Sequence, residues 1–169
     1  MNDFPSEIIR QYYSKGSWEE YFVNILKQVA TRASCLRRQV GAIAVTERRI
    51  IATGYNGTPS GVPHCEKVGC LRIEKHVKSG ERHEICRAVH AEQNLIIQAA
   101  KFGISLANAD IYCTHLPCFI CFKMLVNCGV NSIYFLEGYP DEMTLDMYTS
   151  NISSLPRLIY LRPDAIDGK

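Results

Sequence analysis

The fold is decided by residues 88–136, AVHAEQNLIIQAAKFGISLANADIYCTHLPCFICFKMLVNCGVNSIYFL. Apolar residues recur here first at helical spacing and then in short β-rich runs. The pattern predicts a helix at Ala88–Phe102, a strand at Asp110–Thr114, a helix at Cys118–Cys128 and a strand at Asn131–Leu136. Such alternation is typical of parallel neighbouring strands joined by right-handed crossovers, and therefore of an α/β fold.

The flanking segments add further elements on both sides. The predicted elements are an amphipathic helix at Trp18–Ala33, a hairpin of Val40–Val45 with Arg49–Tyr55, a loop at Asn56–Gly61, a helix at Met143–Ser153 and a strand at Leu158–Leu161. Between the loop and the helix that begins at Ala88, residues 62–87 hold three cysteines and three histidines without a sustained period. This stretch is predicted to be a Cys-rich loop insertion that needs a stabiliser other than an apolar core.

Length and composition predict one compact domain over residues 1–169, since 47% of the residues are hydrophobic and 21% are charged. The net charge of +2 argues against a surface for a nucleic-acid polymer. No apolar run approaches the roughly 18 residues of a membrane helix, and no signal peptide is recognised. We therefore expect a cytoplasmic protein whose eight cysteines are metal ligands or buried thiols.

Two short motifs carry the chemistry: His90-Ala91-Glu92, and Pro117-Cys118-Phe119-Ile120-Cys121. One imidazole and two thiolates provide three zinc ligands and leave a fourth tetrahedral position for water, as a catalytic zinc requires. The spacing of the two cysteines places both sulfurs on one side of a helix turn, at an N-terminus that favours thiolates. The alternative is a closed structural zinc site completed by a fourth residue.

Glu92 is predicted to be the proton carrier and not a ligand. Zinc lowers the pKa of a bound water from 15.7 to about 7, and a carboxylate beside it transfers the proton to a ring nitrogen and then to leaving ammonia. His-x-Glu followed by Pro-Cys-x-x-Cys is the signature of zinc-dependent nucleobase deaminases. The two motifs together therefore predict hydrolytic removal of an exocyclic amine.

Three longer segments resemble the deoxycytidylate (dCMP) deaminase family: Ser34–Ala42, Arg49–Gly61 and His90–Asn94. The resemblance covers roughly Trp18 to Tyr139. It implies a three-layer α/β/α cytidine deaminase-like fold with a five-stranded mixed sheet. The implied reaction converts dCMP and water to dUMP and ammonia, which supplies dUMP for thymidylate synthesis. A homo-oligomer, a hexamer in the family, is also implied.

The resemblance also implies contacts with the substrate. Asn56 would hydrogen-bond the sugar hydroxyl, the alternative being a turn-forming asparagine before glycine. The Ala91 N–H would contact the pyrimidine carbonyl, and Tyr139 would lie near the base unless it is merely packed. Arg37 and Arg38 are candidates for the phosphate, with Arg38 preferred; the alternative is a solvated or interface arginine.

A second, structural zinc site is predicted from the remaining thiols, and the resemblance permits it, because some bacterial and phage dCMP deaminases carry one and others do not. Its expected ligands are Cys35, Cys65, Cys70 and Cys86, which come from three segments and would order the Cys-rich loop insertion. His64 and His83 compete with Cys70 for the fourth place. Cys113 and Cys128 are expected to be core thiols without a metal role.

Regulation by dCTP as activator and dTTP as inhibitor is implied by the resemblance, through a loop that contains Gly54, Tyr55 and Gly57. Rival functions are deamination of cytidine, cytosine, a purine or a base in RNA. A further rival is a non-catalytic zinc protein in DNA uptake or regulation, which would be expected to lose Glu92; Glu92 is present.

Overall fold

A computed structural model describes residues 16–78, 81–137, 142–149 and 154–161 of the chain. Five strands and six helices, with one turn of 3₁₀-helix, are described within these ranges. In chain order they are α1 (Trp18–Ala30), β1 (Gly41–Thr46), β2 (Arg49–Tyr55), α2 (Cys65–Val68), α3 (Leu71–Glu74), the 3₁₀ turn (His83–Ile85), α4 (Ala91–Phe102), β3 (Asp110–His115), α5 (Phe119–Asn127), β4 (Ser132–Glu137), α6 (Glu142–Thr149) and β5 (Arg157–Tyr160).

The strands form one mixed sheet in the order β2-β1-β3-β4-β5. Strand β1 pairs antiparallel with both β2 and β3, whereas β3, β4 and β5 run parallel. The parallel half follows from the helical crossovers α5 and α6, because parallel strands cannot be joined by a tight turn. The predicted hairpin, the parallel neighbours and the five-stranded mixed sheet are confirmed.

Alternating side chains of the strands build a core on each face of the sheet. Ile43 and Tyr112 pack with Phe22 and Leu26 of helix α1 on one face. On the other face, a larger cluster contains buried residues of α4 and α5, among them Leu95 and Phe122. Each face buries one set of alternate strand residues, so the helices flank the sheet in three layers, as predicted.

Helix ends account for most differences from the predicted boundaries. The first helix stops at Ala30 instead of Ala33, where Thr31 caps it and its hydroxyl donates to the Gln28 carbonyl at 2.7 Å. The helix predicted from Ala88 begins at Ala91, because Val89 forms an antiparallel bridge with Gly57. In the same way, Cys118 is the N-cap of α5 and not its first turn.

The C-terminal predictions are confirmed with shifted bounds. The helix predicted at Met143–Ser153 is observed as α6, and residues 150–153 of that prediction lie outside the described residues. The last strand is observed at Arg157–Tyr160, one residue earlier than predicted.

Helices α2 and α3 and the 3₁₀ turn lie in the Cys-rich loop insertion and are each only three or four residues long. The fully buried residues of this stretch are Cys65, Cys70 and Arg72 among those described. Such short helices do not hold together by propensity. No helix in the described part of the chain has the length and apolarity needed to cross a membrane.

Candidate zinc site

Two helix N-termini meet beside the end of strand β3 and bring the zinc motifs together. His90 caps helix α4, and its backbone N–H donates to the Gln93 side chain at 3.0 Å, which fixes the start of the helix. Cys118 caps helix α5, and Cys121 lies in the first turn of that helix. The predicted ligands therefore come from the N-terminal ends of two helices.

The three ligand atoms lie at distances that suit one zinc ion. Nδ1 of His90 is 3.5 Å from Sγ of Cys118 and 3.5 Å from Sγ of Cys121. Tetrahedral zinc with Zn–S of about 2.3 Å and Zn–N of about 2.0–2.1 Å requires an N···S separation of about 3.6 Å. His90, Cys118 and Cys121 fit zinc, and they are the one set among the described residues with three such atoms within 4.8 Å of one another.

The two thiols differ in how readily they lose a proton. Hydrogen bonds from the side chains of Cys121 and His90 hold the pKa of Cys118 well below its usual range, although burial opposes this. The same shared proton, together with burial, raises the pKa of Cys121. The partial positive charge at the start of α5 favours the thiolate that a metal needs.

The His90 imidazole is half-buried, and its neighbours shift its pKa in opposite directions. Burial lowers the pKa of His90, but the hydrogen bond with Cys118 and the charges of Glu92 and Cys118 raise it more. The positive charge of Arg72 acts in the opposite direction and lowers it. Arg72 therefore lies within electrostatic reach of the zinc ligands.

Glu92 is buried, with 4% of its surface exposed, in the first turn of helix α4. Burial raises the pKa of this carboxyl, while the charge of His90 and a hydrogen bond with Cys121 lower it by less. A carboxyl whose pKa is raised binds a proton more readily than one in water. Glu92 is thus a buried carboxyl two residues after His90, the first of the candidate zinc ligands.

The second nitrogen of His90 contacts His83, at 3.2 Å between Nε2 of His90 and Nδ1 of His83. The two rings meet edge to face, with centroids 4.8 Å apart. If Nδ1 of His90 binds zinc, its Nε2 carries the proton and donates to His83, which fixes the ring orientation. Sequence reasoning considered His83 only as a ligand for a second zinc and missed this contact.

The zinc ligands open into a cleft, here called the zinc cleft, that Asn56, Ala91, Glu92 and Arg38 also line. The Asn56 side chain accepts from the Val40 N–H at 2.8 Å and donates to the Arg38 carbonyl at 2.9 Å. It therefore holds the loop before β1 and does not form a local turn.

Three further basic side chains of the zinc cleft are Arg37, Arg72 and His115. The Arg37 guanidinium donates to the Val77 carbonyl at 3.1 Å, and Arg38 is exposed at the rim. Sequence reasoning named neither Arg72 nor His115, because neither stands in a recognisable motif. Tyr139 lies outside the described residues.

A polar chain that runs through His115 connects strands β1, β3 and β4. The Gly41 N–H donates to Thr114 Oγ1 at 3.2 Å, and that hydroxyl is 3.0 Å from Nδ1 of His115. Nε2 of His115 is 3.0 Å from the Glu137 carboxylate. Burial lowers the pKa of His115, and the charge of Glu137 opposes this, so neutral His115 donates to Glu137 and accepts from Thr114.

The four cysteines predicted for a second zinc all line the zinc cleft. Burial raises the pKa of Cys65, and the charges of Cys70, Cys35 and Cys86 raise it further, while that of Arg87 lowers it. Cys35 accepts the Arg37 backbone N–H at 3.4 Å. In contrast, Cys113 is fully buried in the sheet and Cys128 caps α5.

A second cleft is lined by residues of β2, of the loop that follows it and of α4. Its lining includes Gly54, Tyr55, Gly57, His64, Asn94 and Gln98. His64 lines this second cleft and not the zinc cleft that the four cysteines line, and its Nδ1 is 3.0 Å from the Thr58 hydroxyl. Helix α4 contributes residues to both clefts, and β2 with its following loop does the same.

The chain is similar to known proteins over most of its length. The family described as cytidine and deoxycytidylate deaminase zinc-binding region matches residues 16–137. ComE operon protein 2 of Bacillus subtilis (strain 168) is 41% identical over 123 residues, which are 73% of this chain and 61% of that protein. Deoxycytidylate deaminase of Schizosaccharomyces pombe is 32% identical over 138 residues, which are 82% of this chain and 41% of that protein.

Among solved structures, the dCMP deaminase of cyanophage S-TIM5 in complex with dCMP and dUMP is similar to this chain. It superposes with a TM-score of 0.65 at 26% identity, and the alignment covers 94% of this chain and 100% of that one. The chain spans about half the length of the two curated relatives it matches, 61% and 41%.

Proposed function

Because the chain belongs to the family defined by the cytidine and deoxycytidylate deaminase zinc-binding region, we propose that it catalyses hydrolytic deamination of dCMP to dUMP and ammonia. The observation that carries this proposal is the set of His90, Cys118 and Cys121 at tetrahedral zinc distances beside the buried Glu92. The name of the S. pombe relative and the nucleotides bound in the S-TIM5 structure support dCMP as the substrate.

His90, Cys118 and Cys121 would hold a zinc ion, which would lower the pKa of a bound water to about 7 and so supply the nucleophile. Glu92 accepts a proton from the attacking water and delivers it to N3 of the pyrimidine. As oxygen bonds to C4, Glu92 then moves the second proton to the exocyclic amine. The C4–N bond breaks, ammonia leaves, and C4 keeps the oxygen as a carbonyl.

Two further contacts would orient the base and sugar. Ala91 is the first residue of helix α4, so its N–H has no acceptor within the helix and suits the pyrimidine carbonyl. Asn56 has a second amide hydrogen and a second lone pair beyond its contacts with the 38–40 loop, and these suit the sugar hydroxyl. Tyr139 and Arg38 stay predictions for the base and the phosphate.

A substrate panel tests the proposed function. Ammonia release is measured from dCMP, CMP, deoxycytidine, cytosine and a short RNA with the zinc-loaded protein. We expect the highest kcat/KM for dCMP. A preference for cytosine, cytidine derivatives without phosphate, or RNA would contradict the assignment of dCMP.

We also propose a structural zinc held by Cys35, Cys65, Cys70 and Cys86. Their shared cleft wall and the mutual influence of their charges support the site, as does the Arg37 N–H that donates to Cys35. No three of these described sulfurs lie within 4.8 Å of one another, so ion binding would draw the Cys-rich loop insertion inward. Elemental analysis after mild dialysis should find two zinc ions per chain, and one would contradict the site.

Regulation by dCTP and dTTP is proposed for the second cleft, which Gly54, Tyr55 and Gly57 line. Support comes from helix α4, because its first turns carry both the zinc-site residues and the Asn94 side chain, which donates to the Tyr55 carbonyl at 2.8 Å. A sigmoidal dCMP saturation curve that dCTP makes hyperbolic is expected. A dCMP saturation curve that neither dCTP nor dTTP changes would contradict this regulation.

A homo-oligomer, a hexamer by family resemblance, and a cytoplasmic location are proposed as well. Exposed apolar side chains on α4, Ile97 at 54% and Phe102 at 64%, support burial against another copy. All eight cysteines are free, which suits a reducing compartment. Light scattering coupled to size exclusion measures the mass, and a monomer would contradict the oligomer.

A further inference from the structure

Arg72 is a buried cation without an anionic partner among the described residues. Only 8% of its surface is exposed, and it lies on the one-turn helix α3 within the Cys-rich loop insertion. Nη2 donates to the Lys78 carbonyl at 3.2 Å, whereas Nε has no hydrogen-bond partner in the described structure. The described ion pairs involve other residues. A buried guanidinium in this condition is costly unless an anion pairs with it.

The position of Arg72 indicates where that anion binds. Arg72 lines the zinc cleft together with Asn56 and Glu92. The cation that acts on Cys65, at the cysteine side of the cleft, is Arg87 and not Arg72. The charge of Arg72 acts instead on His90, at the catalytic side. The unpaired guanidinium is thus part of the substrate cleft.

We propose that Arg72 binds the 5′-phosphate of the nucleotide substrate. The inference rests on the proposed function, because a dCMP deaminase must hold a phosphate in the same cleft as the base. Guanidinium provides forked N–H donors that match phosphate oxygens, and burial strengthens such a pair relative to one in water. Arg38 is exposed at the rim, so solvent screens its attraction to the phosphate more than it screens that of the buried Arg72.

This assignment gives the Cys-rich loop insertion a role in specificity. Arg72 stands two residues after Cys70, and its guanidinium is tied to the Lys78 carbonyl of the same insertion. An ordered insertion therefore fixes the phosphate donor at the wall of the cleft. Arg72 would distinguish a nucleotide from a nucleoside and take no part in proton transfer.

Equilibrium binding to the zinc-loaded protein tests the inference without turnover. Calorimetry compares dUMP, deoxyuridine and inorganic phosphate for the wild type, R72Q, R72K and the control R82Q. Arg82 is matched in charge and lies in the same insertion, but it is exposed and pairs with Glu84. Zinc content and circular dichroism are recorded for every variant.

We expect R72Q to weaken dUMP binding about 10- to 100-fold, the range for a hydrogen bond to a charged group, and to weaken inorganic phosphate binding as well. Deoxyuridine binding should change far less, and R82Q should match the wild type for all three ligands. R72K should show a smaller loss that is confined to the phosphorylated ligands, because it keeps the charge without the fork.

Equal losses for dUMP and deoxyuridine, or no loss for either, would overturn the role of Arg72. If R72Q does not fold, R72K decides by the same comparison of dUMP with deoxyuridine. A wild type that binds neither dUMP nor phosphate would overturn the inference too. If the wild type binds dUMP through Arg72 but does not convert dCMP to dUMP, the proposed function is contradicted. The assignment of Arg72 to phosphate binding is then still supported.

Discussion

Substitution of Gly54 by alanine tests how strand β2 positions the zinc site. A Cβ at Gly54 would overlap the carbonyl oxygen of Ala91 and the amide nitrogen of Leu95, and it would lie 2.9 Å from Cβ of Leu95. Those two backbone atoms are the acceptor and donor positions of the first turn of helix α4. The side chain therefore has no flexible neighbour to displace, and the helix itself must move.

The expected cost follows from this overlap. Overpacking of a rigid core costs about 1–3 kcal/mol. For a chain of this size, 1 kcal/mol lowers Tm by about 2–4 °C, so G54A should lose roughly 2–12 °C. Because the same turn carries His90 and Glu92, the displacement should also weaken zinc binding and lower kcat/KM.

Calorimetry and zinc titration of G54A measure both effects. The matched control is G57A in the loop that follows β2, where the added Cβ meets only the Ser34 hydroxyl at 3.0 Å, an atom that can rotate away. We expect G57A to stay within about 0.5 kcal/mol of the wild type, as is usual away from a rigid clash. A G54A protein with the wild-type Tm and zinc affinity would refute the steric reasoning.

Three other outcomes follow from the site and its surroundings. C65S should retain one zinc ion per chain and lose thermal stability, as measured by elemental analysis and calorimetry; two retained ions would contradict the cysteine site. H83A should weaken the catalytic zinc about 10- to 100-fold by chelator competition, since outer partners of a ligand contribute that much, and an unchanged affinity would contradict the contact with His90. Burial depresses the pKa of His115 in the folded protein. The contribution of neutral His115 to the free energy of unfolding should therefore be fully present above about pH 6.5, the pKa of histidine in the unfolded chain. That contribution should be lost as the pH falls through the lower pKa of His115 in the folded protein. Calorimetry from pH 5 to 8 should therefore show that Tm depends less on pH in H115Q than in the wild type. Parallel plots of Tm against pH for the two proteins would contradict this linkage.

The periodic elements and the zinc motifs were predictable from the sequence. Apolar spacing placed α4, α5 and strands β1 to β4 within a few residues, because each buries one face against the sheet. His90, Cys118 and Cys121 were predictable because zinc demands particular ligand types, and the structure brings them together. The boundaries shifted where a capping residue or an isolated bridge replaced the first helical turn.

Contacts between distant segments were not predictable from the sequence. The edge-to-face pair of His83 and His90 and the buried Arg72 depend on how the Cys-rich loop insertion folds over the site, and that segment has no periodicity. Asn56 was predictable as a loop residue, but its bonds to the 38–40 backbone were not. The packing of Gly54 against α4 was not predictable either, because the β-rich run that contains Gly54 does not indicate which helix lies against it.

We propose that Glu92, beside a zinc ion held by His90, Cys118 and Cys121, transfers the protons by which the amine of dCMP is removed. The most direct measurement is dUMP formation from dCMP by the zinc-loaded wild type and by E92Q at matched zinc content. We predict equal amounts of dUMP and ammonia from the wild type, and a rate about 10²- to 10⁴-fold lower for E92Q. No dUMP from the zinc-loaded wild type, or near-full activity of E92Q, would contradict the proposed role of Glu92.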